Sequence, residues 1–177
     1  MATLTSSDLR CRVVLQPRDY QFRTADNIYD LNWVVVMGRL VGRGSPGRVI
    51  RTRLATWELA SIVSHLEQMA NGERTLWQPR FFDSGLHLWL RRSTERPDLI
   101  VVTVVLAPVT GPPPHDLLAN WRDDRLTYPG GMEGLRFTCT RGALAIFSEE
   151  LRTIVAAFPT RSLQPPDGQA TPAKRSP

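Results

Sequence analysis

The sequence has few cysteines and no long hydrophobic run. Only Cys11 and Cys139 are cysteines among the 177 residues, and their strand-like settings predict two buried free thiols rather than a disulfide. No apolar run approaches the roughly 20 residues that cross a bilayer, and the segment from Met1 to Leu9 lacks the features of a signal peptide. We therefore expect a cytoplasmic protein with no membrane partner.

Lysine is almost absent as well. Lys174 is the only lysine among the 22 basic residues, and all the others are arginines. Such a bias is typical of GC-rich genomes, so it is not in itself a sign of RNA binding. The formal net charge of +5, spread along the whole chain, produces a modest field rather than the concentrated footprint of a nucleic-acid-binding protein.

The motifs of catalysis and of metal binding are also missing. His65, His87 and His115 lie far apart, and none has a second ligand at the spacing of a zinc site. The glycine-rich stretch at residues 42–47 lacks lysine and precedes a strand, so it predicts a turn and not a phosphate-binding loop. We therefore predict a non-enzymatic protein with no catalytic, cofactor-binding or metal-binding residues.

The residues that are present alternate in a way that predicts strands. Apolar and polar positions alternate, or β-branched residues cluster, in six segments: residues 9–15, 33–41, 48–54, 86–91, 99–106 and 135–139. The segment at 99–106 is almost wholly apolar, which is typical of a central strand that is covered on both faces. We read the second and third segments as a hairpin.

Two further segments have helical periodicity. The first begins at Thr56, which we expect to be the N-cap, and ends at Asn71 and Gly72. The second follows Thr140 and ends at Pro159. Their apolar stripes comprise Leu59, Ile62, Val63, Leu66 and Met69 in the first, and Leu144, Phe147, Leu151, Ile154, Val155 and Phe158 in the second.

The order of these elements predicts an α+β fold. We expect an antiparallel sheet of about six strands with the two main helices packed on it, in a single domain that covers residues 1–162. Residues 163–177 are rich in proline and polar side chains, and predict a disordered tail. The irregular segment at 108–131 is long for a compact domain, so it either carries function or contains a short helix near residues 115–121.

One pair of arginines is a candidate contact surface. Arg51 and Arg53 are two residues apart on a predicted strand, so their side chains share a face and could meet phosphates or an acidic protein. An ordinary solvated sheet face is the simpler interpretation, because few aromatic residues are interleaved to stack on bases.

Several short motifs occur in order along the chain. The first is the stretch Asp30, Leu31, Asn32 and Trp33, which leads into a strand. The second is the helix start at Thr56, Trp57 and Glu58. An aromatic strand at residues 81–90 and a capped helix at residues 137–161 follow. Taken together, these motifs resemble the WapI family of bacterial immunity proteins over residues 30–161.

This resemblance implies a protein that binds and occludes a cognate toxin without turnover. The motif residues also have a structural interpretation, in which Asp30, Asn32 and Glu58 cap strand and helix ends while Trp33 and Trp57 anchor the core. Two other functions stay open, an arginine-rich nucleic-acid-binding accessory domain and a scaffolding subunit of a larger assembly. Since inhibitors of nucleases are often acidic mimics of nucleic acid, a basic inhibitor implies an acidic contact surface on its toxin, or another mechanism.

Overall fold

A computed structural model describes residues 1–42, 46–79, 81, 85–108, 125–128 and 132–162, with residues 125–128 described by their backbone alone. The predicted disordered tail at 163–177, most of the segment at 108–131 and the suggested helix near 115–121 lie outside these residues. None of the helices in the described ranges is both long and apolar enough to span a membrane.

The first half of the chain forms a four-stranded antiparallel sheet whose strands pair in chain order. The strands are β1 (Ala2–Thr5), β2 (Arg12–Tyr20), β3 (Trp33–Val41) and β4 (Val49–Ala55), and the short helix α1 (Ile28–Leu31) lies between β2 and β3. Alternate residues of each strand point to the core, as Val34 and Val36 do in β3, while their neighbours Val35 and Met37 are partly exposed. The predicted hairpin is confirmed as the pair β3 and β4.

The second half forms a five-stranded antiparallel sheet in the order β5-β6-β7-β9-β8. Its strands are β5 (Leu76–Trp77), β6 (Leu86–Arg92), β7 (Leu99–Leu106), β8 (Arg125–Tyr128) and β9 (Met132–Thr140). The strand β7 pairs with β6 on one side and β9 on the other, and residues on both of its faces are buried, Val102 on one and Val105 on the other. The prediction of a covered central strand at residues 99–106 is confirmed.

Each sheet leads directly into one main helix. Helix α2 (Thr56–Asn71) continues from β4 and ends at Gly72, whose φ of +80° is the left-handed conformation that glycine adopts without strain. Helix α3 (Arg141–Val155) continues from β9 and starts at Thr140, whose hydroxyl accepts a hydrogen bond of 3.1 Å from the Ala143 amide. The two helices contact each other, and the Ser148 hydroxyl donates to the Val63 carbonyl oxygen at 3.3 Å.

The predicted α+β class, with antiparallel strands and two main helices, is confirmed. The strands, however, lie in two sheets and not in a single sheet of about six. Alternation shows that a segment is a strand but not which strand it pairs with, and α2 separates the two sets of pairings. The elements β1, β5, β8 and α1 were not predicted because each has four residues or fewer, too short for a period to register.

The inner faces of both sheets and the apolar stripes of α2 and α3 share one hydrophobic core. Gly38 in β3 lies so close to β7 that a Cβ atom built on it would be 2.6 Å from a methyl group of the fully buried Leu106. At the rim, Arg48 Nε lies 3.2 Å from Glu133 Oε1 and links the two sheets by an ion pair. The missing side chain at Gly38 therefore permits the close approach of the sheets.

We predict that Gly38→Ala lowers the free energy of unfolding by about 1–3 kcal/mol, because the added methyl group overpacks the contact with Leu106. The matched control is Gly142→Ala in the first turn of α3, where the nearest atom to a new Cβ is 3.9 Å away. There the same change should leave stability unchanged or raise it by up to about 1 kcal/mol. Urea denaturation followed by circular dichroism measures both, and equal effects would contradict the packing argument.

Candidate functional site

The motif residues of the sequence meet around the buried side chain of Asn32. Its Nδ2 donates to the Ile28 carbonyl oxygen at 2.7 Å and to the Arg161 carbonyl oxygen at 2.9 Å, while its Oδ1 accepts from the Arg161 amide at 2.6 Å. The Asn32 carbonyl oxygen also accepts from the Thr56 amide at 3.0 Å. One side chain and its backbone thus join α1, the start of α2 and the segment that follows α3.

That last segment is held by a second set of contacts at Arg161. The Arg161 guanidinium donates to the carbonyl oxygens of Phe22 and Arg23, at 3.1 and 2.8 Å, and lies 4.4 Å from the ring centroid of Tyr20. The Tyr20 ring also packs edge-on against Phe158. We call residues 158–161 together with Tyr20, Asn32 and Thr56 the C-terminal clasp.

The start of α2 differs from the predicted capping. Ala55 and not Thr56 is the N-cap, and the Glu58 carboxylate accepts a hydrogen bond of 2.9 Å from the Ala55 amide. The Thr56 hydroxyl instead lies 3.1 Å from the Thr160 hydroxyl and 3.4 Å from Asn32 Oδ1. The prediction of Thr56 as N-cap is therefore wrong, because its hydroxyl is engaged by the clasp and the chain is already helical there.

The remaining motif residues divide between interior and surface. Asp30 stays in the first turn of α1, where its carboxylate accepts from the Asn27 side chain at 2.7 Å. Trp33 is buried, but it lies on the side of β3 that is turned away from the shared core, where the Arg53 guanidinium covers its ring. Trp57 is 38% exposed and packs edge-on against Tyr29, so the prediction that it anchors the core is wrong. It lies two positions before Leu59 on the helix and so points away from the buried stripe.

Arg51 and Arg53 share one face of the first sheet, as predicted, and the structure places two more arginines beside them. Arg51 is paired across the strands with Met37, Arg53 with Val35, and Arg39 with Val49. On β2, Arg12 is exposed on the same side. We call this surface, made by alternate residues of β2, β3 and β4 turned away from the core, the basic face.

The predicted contact surface comprised Arg51 and Arg53 and did not include Arg12 and Arg39. Arg39 lies on the predicted hairpin, so its place beside Arg51 follows from alternation and from the pairing of β3 with β4. Arg12 joins the face through the pairing of β2 with β3, which alternation within one segment does not specify.

A depression of about 310 Å³ opens on the basic face, lined by Gln21, Val35, Arg51, Thr52 and Arg53. The Arg53 guanidinium lies 4.7 Å from the ring centroid of Trp33, which it covers. The Oε1 atom of Gln21 is buried there and has no hydrogen-bond partner within the described part of the chain. Asp19 is at one corner of the face, and its carboxylate accepts from the Tyr20 amide at 2.8 Å.

The titratable groups of the interior do not form a reactive cluster. Both cysteines are free and buried, as predicted, and burial raises the pKa of the Cys139 thiol to about 12, so that thiol stays protonated at neutral pH. Burial also lowers the pKa of His87. Over the described ranges, no three side chains of histidine, cysteine, aspartate or glutamate come close enough to hold a metal ion.

A comparison with protein-family models matches residues 3–159 to the Immunity protein WapI-like family. The match spans most of the 177 residues and extends the resemblance, first visible in short motifs from residue 30 onward, to the first sheet as a whole. Searches of curated proteins and of solved structures found no match.

We predict that Asn32→Ala lowers the free energy of unfolding by about 2–4 kcal/mol, because it leaves the backbone groups of Ile28 and Arg161 without their partner. The hydrogen exchange of the Arg161 amide should accelerate as well. Asp30→Ala is the control, since it removes only a surface contact with Asn27 and should cost less than about 1 kcal/mol. Urea denaturation and amide exchange test this, and an unchanged Arg161 amide would contradict the clasp.

The depressed pKa of His87 predicts a pH dependence of stability. In the unfolded chain His87 takes up a proton near its ordinary pKa of 6.5, whereas burial disfavours the charged form in the folded protein. Its contribution to stability is therefore complete above that pKa and is lost as pH falls towards the lower folded value. Between about pH 7.5 and about pH 5, the wild type should lose more unfolding free energy than His87→Gln. An equal loss of unfolding free energy in the two proteins over this pH range, measured by urea denaturation, would refute the prediction.

Proposed function

We propose that this chain, which belongs to the WapI-like immunity protein family, neutralises a cognate toxin by binding it without chemical turnover in the cytoplasm. The family match over residues 3–159 is the observation that carries the proposal. The toxin is the protein against which this chain protects the cell.

Stoichiometric occlusion fits the chemistry of the surface better than catalysis does. The family-motif residues Asn32, Thr56 and Glu58 are engaged in hydrogen bonds that hold the clasp and the start of α2. The Cys139 thiol is protonated and buried, so it is not available as a nucleophile. A rigid surface that covers a toxin requires neither a reactive group nor a cofactor.

The charge of the chain bears on how occlusion would occur. An inhibitor that mimics nucleic acid presents carboxylates in place of phosphates, whereas this chain has a formal net charge of +5. The basic face concentrates arginines on one sheet. We therefore propose that this chain binds an acidic surface of the toxin. It does not inhibit the toxin by mimicking a nucleic-acid substrate.

In the test, the full chain is tagged and expressed in its native host. The proteins captured with it are identified by mass spectrometry. The captured candidate is then produced in a second bacterium with this chain or with an unrelated protein at equal level. We expect a complex of fixed stoichiometry and growth that is restored only by this chain. Protection by far less than one equivalent, with the toxin recovered cleaved or modified, would show an enzymatic mechanism and would overturn the proposal.

A further inference from the structure

We infer that the basic face is the docking surface for the toxin, and that the toxin presents to it an acidic segment whose aspartate or glutamate side chain enters the depression between Arg51 and Arg53. This inference rests on the proposed function, and it specifies the face and the chemistry of the partner.

The composition of the face is that of an interface. Between the arginines lie aliphatic side chains that are only partly buried, Val14, Val35 and Met37, and Val49 is 56% exposed. Protein interfaces combine an apolar centre with arginine, the charged residue most often found among their energetic hot spots. A partner seated on the face would remove this aliphatic strip from water, which favours binding.

The charges of the face select an acidic partner. Arg12, Arg39, Arg51 and Arg53 project from three adjacent strands, whereas Asp19 is the one carboxylate that the described residues of these strands place on this side. A guanidinium binds a carboxylate through two parallel hydrogen bonds, and Arg51, which is exposed and lines the depression, can bind such a group. The side-chain amide of Gln21 can turn to donate a further hydrogen bond there.

Two of the arginines are held in place before any partner arrives. Arg39 Nε donates to the Pro46 carbonyl oxygen at 2.7 Å, and the Arg53 guanidinium stacks over Trp33 at 4.7 Å. A side chain that is already fixed loses less conformational entropy when the complex forms, so more of its interaction energy appears as affinity. The part of the depression that Arg53 lines is therefore preorganised.

A protein suits this face better than a nucleic acid does. Binding of single strands relies on exposed aromatic rings on which bases stack, and Trp33, the aromatic residue of this face in the described strands, is buried under Arg53. The aliphatic strip has no counterpart in a sugar–phosphate backbone but fits the apolar side chains of a protein segment. Nucleic-acid binding is accordingly the alternative outcome of the test.

The first experiment measures binding of the captured toxin to the full chain carrying Arg51→Glu and Arg53→Glu, by isothermal titration calorimetry. We expect Kd to rise by about 30-fold or more, because two hot-spot charges become repulsive. The matched control carries Arg74→Glu and Arg91→Glu, which make the same charge change at exposed sites away from the face, and its Kd should change by less than about threefold. Suppose the wild type binds the toxin and protects against it, and the charge-reversed variant binds as tightly as the control. The basic face is then not the docking surface, while the proposed function stands.

A second variant is needed because the charge reversal at Arg53 also removes its contact with Trp33 and could destabilise the fold. Met37→Asp places a like charge against an acidic partner without touching that stack, and should also weaken toxin binding by about tenfold or more. Unfolding curves of both variants must match the wild type within about 1 kcal/mol. Loss of toxin binding with retained stability supports the basic face as the docking surface. Unimpaired binding by Met37→Asp overturns that inference.

A second experiment needs no toxin and uses two probes of equal charge, a short peptide that alternates aspartate with leucine and a single-stranded RNA oligonucleotide. Amide chemical shifts of the full chain should move most at Val35, Met37, Arg51 and Arg53 when the peptide is added. Shifts confined to other surfaces would overturn the inference. If the RNA binds these residues at least tenfold more tightly than the peptide, with a steep salt dependence, the face is a nucleic-acid site instead.

Discussion

The shared core is the constraint on which the remaining structure depends. Both sheets turn one face to it, and α2 and α3 close it, so the register of the strand pairing decides which side chains reach the core. A slip of one residue in the pairing of β4 with β3 would bury Arg51 and Arg53 and expose Ile50 and Leu54. The position of the basic face is thus a consequence of the register that fills the core.

Sequence reasoning succeeded where one segment contains the whole signal. The apolar run at residues 99–106 predicted a central strand, and the stripe of α2 predicted its buried apolar residues. In the predicted stripe of α3 the first three residues are buried, whereas the last three pack against the core but are only partly buried. Sequence reasoning failed where the cause lies elsewhere in the chain. Thr56 has the chemistry of an N-cap, but its hydroxyl contacts Thr160, which is 104 residues away. In the same way, division into two sheets depends on pairing partners that alternation does not specify.

The clasp changes the meaning of the sequence motifs. Motif residues that could have marked a binding site are instead close to the point where the segment after α3 returns to α1, and Asn32 alone makes three hydrogen bonds of 2.6 to 2.9 Å there. A buried amide with its donors and acceptors satisfied contributes specificity to a fold, because few other side chains satisfy the same groups. Asn32 therefore has a structural role in holding this part of the fold together.

If the toxin docks on the basic face, as we infer, the arginine composition of that face accounts for its selectivity. Arginine is more weakly hydrated than lysine and stacks on aromatic rings, as Arg53 does on Trp33. The aliphatic residues between the arginines exclude water from the contacts once a partner is seated, and the guanidinium–carboxylate bonds strengthen in that drier setting. An acidic loop with no apolar residue would gain only the screened attraction of exposed charges, and nucleic acid would gain little more. The face therefore discriminates by requiring both charge and apolar contact at once.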